Sequence, residues 1–485
     1  MLGVFWLGVP LVAVAGSFVP AGDLGLRHDV QLLADYGVIQ STVTSWPMSW
    51  DTLAADLSAF DEYENLPPAI RATARRVQSR VDRATYQGMS FTAQAGYAEK
   101  PTAIRGFQYT PREEGEASAG VRWLNDRLTM DLRVTGVSDA SDGKDVRADG
   151  SEVGLRLGNF TYALSVTDRW WGPGWDGSLI LSNSARPIPA ITMRRDVLTP
   201  FETKWLAWLG PWDFRMMWGE MESDRAVPNP NFFGMRFNFR PHPSLEIGLS
   251  RTAQMCGEGR PCDLETFWRM LIGNDNIVDD GIGPPEDPSN QLAGIDFRWS
   301  NTWFGVPMAF YAQGIGEDEA DRLPTSFIVL GGIELSTWVK ASGTSFRWFA
   351  EVAGTSKGIL SDQRFNSAYN HVTYRTGYRY RGRIIGHGAD NDALITSLGM
   401  VMATDSGNHF SALVRSGELN RGGSPDPRHS ITPTPLDILS IDVSYLHTLG
   451  NHRLEIGLGY EELDDKTANV SSDDARGFLR WSWNP

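Results

Sequence analysis

The feature that most constrains this chain is a repeated alternation of apolar and polar residues over segments of about eight to ten residues. The alternation runs through residues 128–135, 160–167, 212–219 and 454–460. A period of two predicts β-strands whose two faces meet different environments. Such strands fit a membrane barrel with a polar interior, but a soluble β-sandwich shows the same alternation. The period therefore predicts strands and leaves their architecture open.

The lengths of the connections between these strands favour a barrel. Short and long connections alternate along the chain, as the two ends of an outer-membrane barrel require, whereas a sandwich has no reason for this order. The short connections are predicted at 124–127, 158–159, 209–211, 240–244, 300–303, 339–344, 404–408 and 448–452. The long connections are predicted at 98–116, 137–150, 168–189, 221–231, 253–290, 313–324, 354–392, 417–435 and 462–475. This assignment gives 18 strands, the last at 478–483, and places both chain ends beside the short turns.

Composition agrees with a large β-protein and excludes several other classes. The chain has 485 residues, with 18 tryptophans, 50 glycines and a net charge of −15. Beyond the N-terminus no segment offers the roughly 18 consecutive apolar residues of a transmembrane helix. Nucleic-acid binding is not expected, because that function needs a basic face. Two cysteines exclude a disulfide-rich scaffold.

The N-terminus predicts export. Residues 1–15 form an apolar stretch ending in an A-x-A cleavage pattern and are predicted to be a secretory signal peptide, although no Lys or Arg precedes the stretch. The alternative is an N-terminal membrane anchor, which Pro10 disfavours. An exported chain with these strands predicts an 18-stranded antiparallel outer-membrane β-barrel over residues 88–485.

Residues 16–87 have helical periodicity and are predicted to form a small α-helical bundle at the periplasmic mouth, where it could plug the lumen. Asp23 and Ser49 are suited to cap the first two helices, and Pro67 and Pro68 to open the third. The arginines of the third helix are interpreted as its solvated face. They are Arg71, Arg75, Arg76, Arg80 and Arg83.

The densest motif spans residues 168–175 and is followed by an arginine at 186. Its tryptophans could stack on sugar rings, and its arginines could clamp carboxylates. The alternative, which we favour, is an inward-folded loop whose tryptophans pack and whose arginines pair with acids in the lumen. The residues concerned are Asp168, Arg169, Trp170, Trp171, Trp175 and Arg186.

The long connection at 354–392 is the stronger binding candidate. It carries six basic and three acidic residues in a chain that is acidic overall, and tyrosines lie among its arginines. This pattern favours an anionic ligand. Equally, residues 374–383 could continue a strand above the membrane, with the arginines binding lipid phosphates. The candidate residues are Arg375, Arg379, Tyr380, Arg383 and His387.

Two further patterns bear on chemistry. Cys256 and Cys262 flank a five-residue segment in the longest loop and are predicted to form a disulfide, since a zinc site would need further ligands. Residues 354–358 match the G-x-S-x-G pattern of a hydrolase, with Ser356 as nucleophile, but the polar loop lacks the strand–turn–helix context. The sequence therefore makes no case for an enzyme, and neither a metal site nor a cofactor is expected.

Several segments resemble the Wzi family of capsule-assembly proteins, and the double-tryptophan motif is the most specific of them. The resembling segments are 18–29, 46–50, 168–175, 182–187, 257–261, 290–298 and 382–387. The resemblance implies an outer-membrane barrel of 18 strands, a periplasmic helical bundle and a lectin-like role that holds capsular polysaccharide on the cell surface. It carries over no catalytic residues. The two cysteines look like a local elaboration of the 257–261 loop.

Our leading hypothesis is a non-enzymatic lectin whose outer loops bind an acidic capsular or exopolysaccharide. Arg260 and Trp268, together with the basic loop, are its candidate contacts. Outer-membrane lipid and lipopolysaccharide are further expected partners, and the polysaccharide export machinery is another. The alternative is a channel for anionic solutes or polysaccharide export, and an outer-membrane hydrolase is the third possibility.

Overall fold

A computed structural model describes residues 17–272, 289–317, 319–320, 323–324, 326–358, 362–423 and 429–484. The predicted signal peptide at 1–15 lies outside the described residues. Within them, the main feature is one closed antiparallel barrel, which confirms the fold class.

The described residues contribute 18 strands to the barrel wall. They are β1 Gly88–Ala98, β2 Gly115–Leu124, β3 Leu128–Ser138, β4 Val146–Arg147 with Glu152–Leu157, β5 Phe160–Ser165, β6 Ala190–Arg195, β7 Trp212–Glu220, β8 Asn231–His242, β9 Leu245–Met255, β10 Ser289–Trp303, β11 Val306–Gly316, β12 Phe327–Trp338, β13 Ser345–Gly354, β14 Leu394–Ala403, β15 His409–Leu419, β16 Leu436–Leu449, β17 His452–Asp465 and β18 Val470–Trp483. Each strand pairs with its neighbours in sequence, and β18 pairs with β1 to close the barrel.

The two faces of the strands follow the alternation in the sequence. On β17, Leu454, Ile456 and Leu458 are exposed on the outside of the barrel, whereas Glu455 is buried inside. On β7, Asp213 is completely buried. Apolar side chains therefore form the outer wall, and polar and charged side chains point into the lumen.

Three predicted connections are wrong. The turn predicted at 300–303 lies at 304–305, because β10 extends to Trp303 and β11 begins at Val306. The connection before β7 occupies 196–211 rather than 209–211, because β6 ends at Arg195 and residues 207–209 form a short 3-10 turn. The long loop predicted at 462–475 is a tight turn at 466–469, since β17 and β18 remain paired as far as Asp465 and Val470. The strands there continue where the polar sequence suggested a loop.

Three helices precede the barrel: α1 Leu24–Asp35, α2 Trp50–Ala59 and α3 Pro68–Ala84. The predicted caps are confirmed, because the backbone N–H of Leu26 donates to Asp23 at 2.9 Å and that of Thr52 donates to Ser49 at 3.3 Å. A fourth helix, α4 Leu264–Ile272, lies in the long connection between β9 and β10. Among the residues that the structure describes, no helix is long and apolar enough to cross a membrane.

The expectation that the arginines of α3 form a solvated face is only half right. Arg75 is exposed, but Arg76 is buried and pairs with Asp29 of α1 at 2.6 Å. Arg80 pairs with Asp23 at 2.5 Å. The helical period correctly places these arginines on one face, but that face packs against α1 because α1 carries the matching carboxylates.

The helices enter the barrel at the end that carries the short turns, called here the short-turn end. A ring nitrogen of His28 lies 2.8 Å from the hydroxyl of Ser345, at the start of β13. The Arg240 guanidinium near the end of β8 donates to the backbone carbonyls of Ile39 at 2.8 Å and Ser41 at 3.2 Å. The opposite end, which carries the long connections, is called the long-loop end.

The orientation of the strands predicts how they respond to charge. Leu458→Arg, on the outer face of β17, should destabilise the barrel by about 2–4 kcal/mol, because an arginine at mid-membrane depth loses its hydration. Gln94→Arg on β1 enters the polar lumen and should cost much less. Urea unfolding of both variants in lipid vesicles measures the difference, and equal destabilisation would contradict the assignment of faces.

Candidate functional site

The connection between β5 and β6, residues 166–189, folds into the lumen. Trp170 and Trp171 pair in antiparallel register with Trp46 and Ser45 of the N-terminal segment. Both tryptophans and Trp175 are buried. Together with α1–α3 this connection forms the plug of the barrel. These tryptophans therefore lie where no external sugar reaches them, as the favoured packing interpretation expects.

Arg27 of α1 holds the two halves of the plug together. Its guanidinium donates to the carbonyls of Pro173 at 2.7 Å and Gly174 at 2.8 Å. It also lies 4.4 Å from the ring centroids of both Phe107 and Trp175, within cation–π range. Burial lowers the pKa of Arg27 to about 10, which leaves it charged at neutral pH.

Carboxylates on the barrel wall bind the inward connection from the other side. Glu351 on β13 accepts from the backbone N–H groups of Trp175 and Gly177, both at 2.7 Å, and from the Tyr311 hydroxyl at 2.9 Å. Glu334 on β12 accepts from the indole N–H of Trp175. The tight turn at 172–177 is thus fixed by wall carboxylates on two adjacent strands.

The same wall binds α1 through charge. Asp35, the last residue of α1, lies 2.7 Å from Arg298 of β10 and 3.1 Å from Arg347 of β13. Glu334 lies between these arginines, 2.5 Å from Arg298 and 3.0 Å from Arg347. Each buried charge in this group therefore has at least one opposite charge within salt-bridge distance.

Asp176 ties the plug to the next part of the wall. Its carboxylate accepts from the Arg415 guanidinium of β15 at 2.7 Å and from the Ser397 hydroxyl at 2.6 Å. Burial raises the pKa of Asp176, but the Arg415 charge and the hydrogen bonds from Arg415 and Ser397 together lower it below its usual value. The carboxylate is ionised at neutral pH and acts as an anchor.

The other motif residues also have partners within the protein. Arg169 donates to the carbonyls of Ile188 at 3.0 Å and Ser165 at 3.1 Å. Asp168 pairs with Arg112 at 2.8 Å, and Arg186 pairs with Asp149 at 2.8 Å. These contacts support a structural role for the motif.

The basic loop between β13 and β14, residues 355–393, folds across the long-loop end. The Tyr369 hydroxyl donates to the carbonyl of Leu179 at 2.6 Å, and that of Tyr378 to Ile180 at 2.8 Å. Arg379 makes a two-point contact with Asp390 at 2.9 and 2.5 Å. Burial would raise the pKa of Asp390, but the Arg379 charge holds it down at about 2.

The structure corrects the assignment of three basic-loop residues as surface contacts. The loop packs against the plug residues beneath it. Three of its candidates are therefore buried: Arg379, Tyr380 and His387. Arg375, in contrast, is exposed, and Arg383 is half-buried. The loop therefore offers two of its five candidates to a ligand outside the barrel.

The candidates of the cysteine loop lie nearby. Cys256 and Cys262 form a disulfide. Arg260, between them, is half-buried, and Trp268 on α4 is 53% exposed. The Tyr374 hydroxyl donates to the carbonyl of Cys256 at 3.1 Å. This bond brings the cysteine loop beside Arg375.

The hydrolase pattern has no catalytic geometry. Ser356 is completely buried, and its hydroxyl accepts from the side-chain amide of Gln363 at 3.0 Å. Lys357 pairs with Glu317 at 3.1 Å and bridges to Arg364. A β-bridge instead of a helix follows the serine. In the part of the chain that the structure describes, no group of three or more His, Cys, Asp and Glu residues is placed to hold a metal.

The plug does not fill the lumen. A cavity of about 700 Å³ remains between the plug and the wall formed by β1–β3 and β15–β18. Its lining is mixed, and its polar part includes Gln94, Arg122, Arg133, Ser411 and Arg480. The plug is thus anchored mainly to β8–β15 and leaves space on the other side.

Sequence reasoning missed the wall charges that hold the plug. The available signal is charge at inward positions of a strand: Arg298 lies between Phe297 and Trp299, which are exposed to the outside. Glu334 and Arg347 occupy the same inward face on β12 and β13. The pattern reveals lumen-facing charge, but it cannot identify partners more than 250 residues away, as Asp35 and Arg298 are.

Breaking the Arg379–Asp390 pair should loosen the basic loop. Asp390→Asn leaves a buried guanidinium without its counter-charge, at a local cost of roughly 3–5 kcal/mol. We expect faster proteolysis within 355–393 and an intact barrel, measured by limited digestion in detergent. Asp362→Asn, at an exposed position of the same loop, is the control. Equal digestion of the two variants would contradict the role of the pair.

Acid should destabilise the same region through His387. Burial lowers the pKa of His387 to about 4, below the value of roughly 6.5 in an unfolded chain. Between pH 6.5 and 4 the imidazole of His387 therefore takes up a proton when the protein unfolds. The free energy of unfolding falls as the pH falls from about 6.5 to 4. Thermal unfolding against pH should show a flatter dependence in His387→Gln than in wild type. The exposed His242→Gln should keep the wild-type slope, and a matching change in both would be evidence against this origin.

Comparison with known proteins gives consistent matches. Residues 83–476 match the family described as capsule assembly protein Wzi. The fold matches the solved structure of Wzi from Escherichia coli with a TM-score of 0.83 and 26% identity, over 96% of this chain and 99% of that one. That structure is described as a carbohydrate-binding β-barrel and an outer-membrane protein involved in group 1 capsule assembly.

A second relative comes from Klebsiella pneumoniae. It is described as an uncharacterized 55.8 kDa protein in the cps region, and it is 32% identical over 340 residues. The alignment covers 69% of this chain and 64% of that relative's length. Because the family model matches residues 83–476, which is most of the chain, this protein belongs to the capsule assembly protein Wzi family.

Proposed function

We propose that this protein is an outer-membrane barrel that binds capsular or exopolysaccharide on its outer loops and attaches it to the cell surface without changing it chemically. Family membership and the carbohydrate binding described for the E. coli relative support this role. The observation that carries the proposal is the plug, whose buried contacts hold it across the lumen.

The plug is attached to two separate parts of the wall. Glu246 on β9 accepts from the backbone N–H groups of Val43 at 2.8 Å and Thr44 at 3.0 Å. Six strands further along the wall, Arg415 on β15 binds Asp176. A chain of sugars would have to break buried charge contacts to pass, so the polymer is held outside.

The accessible candidates lie on the long-loop end, which this proposal assigns to the cell exterior. Trp268 offers an indole face for a sugar ring, and Arg375 and Arg383 offer guanidinium groups for carboxylates. Each contact is weak, but a repetitive polymer that touches many copies of the barrel gains avidity. The three residues therefore suit retention of a polymer better than tight binding of one sugar.

The other partners follow from the same orientation. The apolar outer wall would contact lipid and lipopolysaccharide, and the short-turn end with its helices would face the periplasm. Any contact with the polysaccharide export machinery would use that end. No catalytic step is assigned, because Ser356 is buried and its hydroxyl is hydrogen-bonded to Gln363 of its own loop.

A channel is the second candidate function, and the cavity beside the plug favours it. Its lining reaches from Asn451 and Asn484 at the short-turn end to Asp149 and Pro187 near the long-loop end. The cavity could conduct water and small ions if both ends opened. We rank this function second, because buried charge contacts hold the plug in the rest of the lumen.

Retention of polymer tests the proposal directly. Deleting the gene should leave polymer synthesis unchanged and move most of the polymer from the cells into the medium. The double variant Trp268→Ala with Arg375→Ala should retain less polymer than wild type, with normal amounts of folded barrel. Arg75→Gln, an exposed arginine at the short-turn end, is the matched control. Polymer that stays cell-attached in the deletion strain would contradict the proposal.

A further inference from the structure

A group of charged residues gathers where four connections meet at the long-loop end: the 99–114 loop, the 139–149 segment, the inward connection 166–189 and the basic loop. We call it the long-loop charge cluster. It consists of the six arginines Arg105, Arg112, Arg147, Arg186, Arg381 and Arg383 and the four carboxylates Glu113, Asp142, Asp149 and Asp168. The cluster is positively charged in a chain of net charge −15.

Every carboxylate in the cluster already binds an arginine. Arg147 pairs with Glu113 at 2.5 Å and with Asp142 at 3.0 Å. Arg186 makes a two-point contact with Asp149, both bonds 2.8 Å, and also pairs with Asp142. The remaining carboxylate, Asp168, pairs with Arg112 as described above. The acids are therefore committed to other arginines.

Arg105 and Arg383 have no carboxylate partner among the described residues. Arg105 is buried and donates only to neutral acceptors, the carbonyls of Thr110 at 2.7 Å and Pro111 and the Thr110 hydroxyl at 3.1 Å. The Arg383 side chain is half-buried and makes no hydrogen bond or ion pair with another described residue, and the carboxylate of Glu113, which acts on its charge, is itself paired with Arg147. Burial, together with the smaller effects of the Arg112 and Arg383 charges, lowers the pKa of Arg105 to about 9. Neither guanidinium therefore has a carboxylate within ion-pair distance among the described residues, and Glu116 and Glu113 offset their charges only from farther away.

Arg383 is placed where a ligand can reach it. It follows a tight turn in which Arg379–Tyr380 pairs with Arg383–Ile384. A Cβ added at Gly382, in the turn, would meet nothing within 4 Å, so the turn projects into open space. Gly388 of the same loop lies against the backbone of Arg105, where an added Cβ would come within 2.7 Å of the Arg105 carbonyl oxygen. Arg105 and Arg383, the two arginines without an ion pair, therefore lie close together, and Arg383 is the one next to open space.

We propose that Arg383, with Arg105 behind it, forms a binding site for the carboxylate of an acidic sugar residue in the surface polymer. A carboxylate accepts two parallel bonds from one guanidinium, and here it would supply the negative charge that the cluster lacks. This inference rests on the proposed polysaccharide binding and specifies the part of the sugar that is recognised. Arg383 is the contact residue, and Arg105 acts by its charge.

Binding of a defined probe to the purified full-length barrel tests the site. Short oligogalacturonate carries a carboxylate on every sugar. Its methyl ester has the same sugar rings but no charge, so it is the neutral comparison. We expect wild type to bind the acid more tightly than the ester by about tenfold or more, as one charge-assisted contact allows. Arg383→Gln should abolish this preference, Arg383→Lys should keep part of it, and added salt should weaken only the acid. Arg75→Gln should behave as wild type.

The possible results separate this inference from the proposed function. Equal preference for the acid in wild type and Arg383→Gln, or no preference in wild type, would overturn the carboxylate site. Displacement of the acid by lipopolysaccharide, with a loss of lipopolysaccharide binding in Arg383→Gln, would assign the arginine to lipid phosphate and also overturn it. The retention assay of the gene deletion reports on the proposed function independently, because it does not depend on Arg383.

Discussion

The contact of Asp35 with Arg298 and Arg347 is the interaction on which the rest of the structure depends. It joins the end of α1 to two wall strands, and Glu334 completes the group by binding both arginines and Trp175. An unpaired charge buried here would cost several kcal/mol, so these residues hold together only as a set. The plug, the inward connection and the basic loop all take their positions from it.

A plug fixed by charge leaves the outer loops as the surface to which we assign polymer binding. The inward connection is held by Glu351 and Asp176, and the basic loop in turn rests on that connection through Tyr369 and Tyr378. Residues used in this packing are unavailable to a ligand. The candidates that remain accessible are Trp268, Arg375 and Arg383 at the long-loop end. So small a set suits weak, repeated contacts with a polymer.

Much of the fold could be predicted because it depends on local patterns. Alternation gives the two faces of each strand, and Asp23 and Ser49 mark helix starts through bonds to residues three positions away. The 196–211 connection was missed because its apolar tryptophans resemble a strand. The site was predicted less well. Arg379 is buried because it pairs with Asp390 above the plug, whereas Arg383 stays half-buried. No local pattern in the loop distinguishes the two arginines.

The central claim is that charge contacts keep the barrel closed while it holds polymer on its outer loops. Single-channel recording of the purified protein in planar lipid bilayers tests this claim most directly. The account predicts an almost silent barrel in wild type and steady conductance when Asp35 and Asp176 are both replaced by alanine. A stable, porin-like conductance in wild type would contradict it.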